Sequence, residues 1–249
     1  MFLSGVVITK NVEHTLTACL KSLQQVVDEI VLVDSGSSDQ TLEIAKQFGC
    51  NIIQTNWLGY GNTKNLGNQA AKYPYILSLD SDEELSEALI VEIMLIKKSL
   101  NQIYSFKRLN NFCGKWIKFG AWYPDIKIRI FPKEVLWNNA YSHEQVLIPK
   151  GVNVNLLNGY LNHYAYHNLD QLKEKTFLYS KLGSLQKSKQ PIFILILKVI
   201  FSPLTGFFKS YLLKIGFLDG YFGLLISYYN AKGTFLKYLW ALKQKFSSE

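Results

Sequence analysis

The first 80 residues alternate four times between a short apolar, β-branched run and a stretch with helical spacing, and few folds accept that pattern. Residues 3–9, 29–34, 51–55 and 75–80 read as strands. Between them, Leu16, Leu20 and Leu23 recur at helical spacing, residues 40–48 form a second helix stopped by Gly49, and residues 62–72 a third. Strand and helix in strict turn predict a parallel sheet with helices on both faces and right-handed crossovers. Three strand ends then share one edge: Thr9 to Asn11, Asp34, and Asp80 to Asp82. Open α/β sheets bind ligands at that edge, and a nucleotide is long enough to span the three.

The fourth strand ends in a knot of carboxylates, Asp80-Ser-Asp82-Glu83-Glu84. Two acids one residue apart suit a hard divalent cation, itself a partner for a diphosphate. The same residues suit a helix start, with Ser81 or Asp82 as cap and Glu83 and Glu84 on the dipole. Their place in the strand series assigns Asp82 to the metal and Asp80 to a ribose or supporting contact, with Glu83 opening the next helix, residues 85–100. Gly59-Tyr-Gly61-Asn-Thr-Lys64 matches neither phosphate-loop pattern. Lys64 is either a phosphate contact or a solvated surface lysine.

Past residue 100 the alternation stops. Residues 104–109, 126–131, 135–137, 145–148 and 152–157 read as strands of a mixed or antiparallel region, and the segment 111–125 is rich in glycine and aromatics. Trp116 and Trp122 are candidates to stack on a sugar ring, or are core residues. His143-Glu144 beside a strand offers Glu144 as a general base or as an exposed turn carboxylate. His163 is either a further metal ligand or a hydrogen-bonded structural histidine.

From residue 169 an amphipathic helix leads into aromatic, aliphatic runs. From Gln186 onward nine lysines stand against Asp219 and Glu249, an excess of seven in a chain of net charge +8. Lysine, proline or Asp219 interrupts each apolar run before the roughly 18 residues that a membrane-crossing helix needs. The tail therefore reads as lying on an anionic bilayer surface, or as a helical appendage with snorkelling lysines. Three cysteines without CxxC spacing fit a reducing cytoplasm, and the N-terminus reads as a strand and not as a signal peptide.

Val7-Ile-Thr-Lys-Asn11, Val31-Leu-Val-Asp34-Ser-Gly-Ser-Ser-Asp39-Gln-Thr41 and Leu79-Asp-Ser-Asp-Glu83, in that order, resemble family 2 glycosyltransferases of the GT-A fold. Gly120-Ala-Trp-Tyr-Pro-Asp125, Arg129-Ile-Phe131, His143-Glu144 and Gly216-Phe-Leu-Asp-Gly220 resemble the bacterial branch that builds lipopolysaccharide core. The resemblance implies a GT-A (Rossmann-like) nucleotide-sugar-binding domain with a mixed central sheet over residues 1–168. Its donor half would be 1–100 and its acceptor half 101–168, with a C-terminal helical, membrane-associating region at 169–249. Thr9, Asn11, Glu13 and Asp34 would hold base and ribose, with Lys64 near the phosphates. Asp80 and Asp82 would hold ribose and a Mg²⁺ or Mn²⁺, and Glu144 would take the acceptor proton. Trp122, Tyr123, Asp125, Arg129 and His143 would lie on the acceptor side.

Inversion by direct displacement is implied, with a UDP-sugar the favoured donor. Ser35 stands where many relatives have a second acid, which leaves ADP-heptose a rival. The QxxRW signature of polymerising members is missing, so a single sugar would be added to a glycan or glycolipid at the cytoplasmic face of the inner membrane. Competing classes are a nucleotidyltransferase, opposed by the lack of a glycine-rich basic loop after the first strand, and a non-catalytic membrane-binding module. Acids at the site and few lysines in residues 1–60 speak against nucleic acid as partner.

Overall fold

The computed structural model describes residues 2–139 and 144–247. Its first strands and helices follow the expected alternation: β1 (Leu3–Thr9), α1 (Glu13–Leu23), β2 (Glu29–Asp34), α2 (Thr41–Gln47), β3 (Asn51–Gln54), α3 (Tyr60–Ala70) and β4 (Tyr75–Asp80). After these come β5 (Glu83–Leu85), α4 (Glu87–Ile96), β6 (Ile103–Phe112), β7 (Lys115–Ile117), β8 (Asp125–Pro132) and β9 (Val154–Tyr166). The strands form one nine-stranded sheet in the order β3-β2-β1-β4-β8-β6-β9-β5, with β7 paired to β6. β3, β2, β1 and β4 run parallel, and β8 joins β4 antiparallel. This is the mixed-sheet GT-A arrangement that the resemblance implied.

Period-two alternation sorts the strand residues onto two faces. Val7, Leu32, Leu77 and Leu79 pack with Leu16, Leu20 and Leu23 of α1 and Leu89 and Ile93 of α4. Val6, Val31 and Ile76 pack with Phe131 and Trp137. α3 lies so close over β1 and β2 that a Cβ on Gly67 would sit 2.5 Å from Val6 Cγ1 and 3.0 Å from Val33 Cγ2, so this position accepts glycine alone.

Two expectations for the chain after β4 are corrected. Glu83 does not open a helix: it begins β5, paired antiparallel to β9 with Glu83 opposite His163, and Ser86 caps α4 by accepting from the Leu89 N–H. Three residues of strand suffice to turn the carboxylate of Glu83 inward, where it is fully buried. Residues 135–137 and 145–148 are not strands but meet in an isolated bridge between Trp137 and Val146.

The chain divides into two compact units, Met1–Arg108 with Asp125–Tyr164, and Leu109–Pro124 with Ala165–Glu249. The second contains α5 (Leu169–Lys187), α6 (Ile192–Phe208) and α7 (Gly220–Ser247). Its core joins Phe112, Ile117 and Trp122 to Leu172, Ile226 and Tyr229, so residues 109–124 group with these helices through aromatic packing.

Another expectation fails in this unit. The apolar runs are not cut short: α6 continues through Lys198 and Pro203 and, with a π-helical turn at Lys209–Leu213, forms a 22-residue helix, Ile192–Leu213, that contains an 18-residue stretch with a mean hydropathy of 1.9. At 1.5 Å per residue it is about 33 Å long, sufficient by length and composition to cross a bilayer. One side packs Leu195 and Val199 against Tyr238 and Ala241 of α7. Elsewhere Phe193, Ile200, Phe201, Leu204 and Phe208 are each more than half exposed.

Candidate functional site

The loops after β1 and β2 are laced together by short polar side chains. Asp34 is fully buried, and its carboxylate accepts from Thr9 Oγ1, from the Gly36 and Ser37 N–H groups and from Ser37 Oγ. Four donors occupy it, so it shapes the turn 35–38. Asn11, at φ 53°, donates its N–H to Ser37 Oγ and accepts the Ser38 N–H on its side chain. Glu13 accepts the Gln40 N–H at 2.9 Å and donates its own N–H to Asp39. Thr9, Asn11, Glu13 and Asp34 thus come together, as a hydrogen-bonded frame for the loops over the parallel strand ends.

Lys64 is not a solvated lysine. Its side chain is 1% exposed, its Nζ lies 2.7 Å from Asp80 Oδ1 and 2.6 Å from Glu144 Oε1, and it sits 4.4 Å from the centre of the Trp137 ring. Neighbouring Asn65 exchanges two hydrogen bonds with the Trp137 backbone and holds the indole in place. Residues 80 and 144 are thereby joined through one cation.

A chain of alternating charges continues from there. Asp80 Oδ2 binds Arg129 Nη2 at 2.7 Å, and Arg129 also binds Glu83, whose Oε2 accepts the Asp80 N–H. Arg108 bridges Glu83 and Asp125, and Lys127 closes the series on Asp125 at 3.1 Å. Burial pushes the Asp80 carboxyl up, but Lys64 and Arg129 outweigh it and hold the group well below the usual carboxylate range. Burial likewise opposes, and Glu83 and Asp80 more than restore, the charge of Arg129.

Arg129, expected on the acceptor side, is 3% exposed, and one nitrogen of its guanidinium, Nη2, meets both Asp80 and Glu83. A β-bulge places it there: the β6–β8 register steps from Ser105 opposite Ile128 to Tyr104 opposite Ile130, and Arg129 is the extra residue. A bulge re-aims a side chain in this way. Arg108 and Glu83 were not among the sequence candidates. The composition held a signal for the former: among 27 basic residues only two are arginines, and both are in this network. Arginine's planar fork suits buried carboxylate pairs better than lysine does.

Asp82 stands apart, its side chain 37% exposed, with its carboxylate 3.3 Å from His163 Nε2. Burial raises its pKa, and the hydrogen bond and charge of His163 bring it below the ordinary value. Among the described residues no group of three or more His, Cys, Asp or Glu is arranged to hold a metal ion. Asp82 offers the carboxylate oxygen that a hard divalent cation prefers, and His163 beside it a nitrogen that such a cation takes less readily, so the pair would supply part of a cation site. Asp80, with both oxygens on cations, is not available as a third. Asp125 is tied to Arg108 and Lys127, Trp122 stacks on Tyr166 with ring centres 5.2 Å apart, and Tyr123 follows it in the second unit. His143 lies outside the described residues.

Residues 4–140 match the model of glycosyl transferase family 2. The chain belongs to that family. Among its relatives is the uncharacterized glycosyltransferase RT0209 of Rickettsia typhi, 30% identical over 94% of this chain and 85% of that protein. Another is the lipopolysaccharide core biosynthesis glycosyltransferase LpsC of Rhizobium meliloti, 25% identical over 84% of this chain and 80% of LpsC. Among solved structures, S. aureus TarS 1–349 in complex with UDP-GlcNAc aligns with a TM-score of 0.49 and 17% identity, over 100% of this chain and 83% of that one.

Proposed function

We propose that this family 2 glycosyltransferase moves one sugar, with inversion, from a nucleotide-sugar, by preference a UDP-sugar, to a bacterial surface glycan such as lipopolysaccharide core. The observation that carries the proposal is Lys64, held between Asp80 and Glu144 under Trp137 at the edge where the parallel strands end. The frame of Thr9, Asn11, Glu13 and Asp34 takes the base and ribose, and Lys64 and Asp80 face the diphosphate end. An acceptor hydroxyl attacks the anomeric carbon on the face opposite the diphosphate: the new C–O bond forms, the bond to the phosphate oxygen breaks, and Glu144 takes the hydroxyl proton. One base is enough for a single inversion. Asp82, with His163, would hold a Mg²⁺ or Mn²⁺, which supplies charge stabilisation to the departing diphosphate.

The aromatic segment ending at Trp122 and Tyr123 is proposed to hold the acceptor sugar by stacking, with Asp125 and His143 as polar contacts. In this reading residues 1–168 carry the chemistry, and 169–249 hold the protein, peripherally, at the cytoplasmic face of the inner membrane. The experiment is a panel of nucleotide-sugars followed by nucleoside diphosphate release. Release with one donor, lowered by EDTA and by Asp82→Ala, is the expected result; no release from any donor refutes the proposal.

The membrane part has its own test. α6 presents exposed apolar side chains, and the residues from Gln186 onward carry the basic excess that an anionic surface attracts. Ile200 and Leu204, one turn apart and 53% and 55% exposed, can be replaced together by Glu without disturbing the packed side of the helix. Wild-type protein is expected to sediment with phosphatidylglycerol liposomes and the double variant to stay in the supernatant. Wild-type protein that does not sediment removes the membrane claim.

A further inference from the structure

Residues 118–121 present four consecutive backbone N–H groups, and all four are taken by the segment that follows α6. Lys118 N–H donates to both oxygens of Asp219, at 3.3 and 3.1 Å, and Phe119 N–H donates to the same carboxylate at 2.9 Å. Gly120 N–H donates to the Lys214 carbonyl at 3.0 Å, and Ala121 N–H to Ser210 Oγ at 3.2 Å. Ser210 is itself held by a buried hydrogen bond to Ser227 of α7. The fit leaves no room for side chains: a Cβ on Gly216 would lie 2.7 Å from the Ser210 carbonyl oxygen, and Gly120 is at φ +75°. Asp219 is 6% exposed, a buried carboxylate stabilised by donors from a segment about a hundred residues away in the chain.

The same stretch has a second side. Leu212, Leu213, Phe217, Leu218 and Tyr221 are all exposed, Leu213 by 80%. Residues 209–221 are thus polar toward the backbone of 118–121 and apolar outward. The clasped segment runs directly into Trp122, whose carbonyl accepts from Asn110 and whose ring stacks on Tyr166.

We propose that Asp219 is a positioning residue for the acceptor. It fixes the aromatic segment 116–123 to a turn whose outer side rests in the bilayer surface, so that the acceptor this segment reads is lipid-linked. The inference rests on the glycosyl transfer proposed above. An apolar exterior flanked by Lys209 and Lys214 commits the outer side to anionic lipid.

Asp219→Asn keeps the shape of the side chain but turns an NH₂ toward N–H groups, and Ser210→Ala is a milder cut in the same clasp. In the full-length protein, hydrogen exchange over residues 116–122 is expected to quicken in both, with the rest of the chain unchanged. With detergent-dispersed rough lipopolysaccharide as acceptor, the acceptor KM is expected to rise about tenfold in Asp219→Asn, the scale of one charge-assisted hydrogen bond. Donor KM and the slow hydrolysis of donor to water are expected to stay as in wild type. A wild type that turns over no donor removes the transfer reading before any variant is compared. An active wild type that hydrolyses donor but does not glycosylate rough lipopolysaccharide overturns the lipid-linked acceptor. Unchanged exchange, or an unchanged acceptor KM, overturns the role of Asp219.

Discussion

Arg129→Met is expected to lower the free energy of unfolding by about 3–5 kcal/mol, the range found when one partner of a buried ion pair is removed. The size follows from what is left behind. Glu83 is fully buried, Arg129 is 3% exposed, and the same guanidinium nitrogen serves Glu83 and Asp80. Methionine fills much of the volume but offers neither carboxylate a donor. Arg108 stays on Glu83 at 3.2 Å and Lys64 on Asp80 at 2.7 Å, so the charges are weakened in their support without being stripped of it.

Acid makes the effect visible. Burial works against Asp80's charge, yet Lys64 and Arg129 depress its pKa below 3.8. A depressed carboxylate contributes stability that is complete above the unfolded value and lost as pH falls through the folded one. Without Arg129 the folded pKa rises toward 3.8, and acid unfolding begins at a higher pH than in wild type. Urea unfolding with an unchanged slope and a lower midpoint checks the main effect. A loss below about 1 kcal/mol, ordinary for a surface pair, would mean that the network is not held as described.

The second large effect is on chemistry. Glu144→Gln is expected to reduce kcat by about 10²- to 10⁴-fold, the usual contribution of a positioned general base, with donor KM no higher than in wild type, because one of the two carboxylates on Lys64 loses its charge. Glutamine keeps an oxygen for Lys64 to donate to, so the ammonium stays between residues 80 and 144 under the Trp137 ring. What is lost is the ability to take the acceptor proton. Steady-state release of nucleoside diphosphate measures both parameters. A kcat within about threefold of wild type would assign the proton to another group or to solvent, because so small a change is far below the base's expected share.

The parallel half of the fold was legible because β-branched runs, helical leucines and turn glycines each act within a few residues. Asp34 and Asp80 could be placed at strand ends for the same reason. Lys64 could not be read correctly from its neighbours. It is buried by Trp137 and neutralised by Glu144, more than 70 residues away, on a helix brought close to the sheet at Gly67. Glu83 was misread because acids after a strand suit a helix start equally well, and its partner strand lies some 80 residues downstream. The bulge that buries Arg129 depends on a register between two strands, which local pattern does not encode. Lys198 and Pro203 looked like interruptions of an apolar run. A helix accepts both: the lysine reaches Gln190 and the Tyr238 ring, and α6 carries the proline within its length.

From Glu144 through Lys64, Asp80, Arg129, Glu83, Arg108 and Asp125 to Lys127, four acids and four bases alternate. Their charges cancel, so this arrangement exerts little long-range pull on an approaching polyanion. What it holds ready is a single ammonium, already stripped of water and aimed, whose two carboxylate partners compete with any phosphate for it. Capture of the donor then depends on exchange of partners at contact distance, and discrimination falls to the last few ångströms of approach.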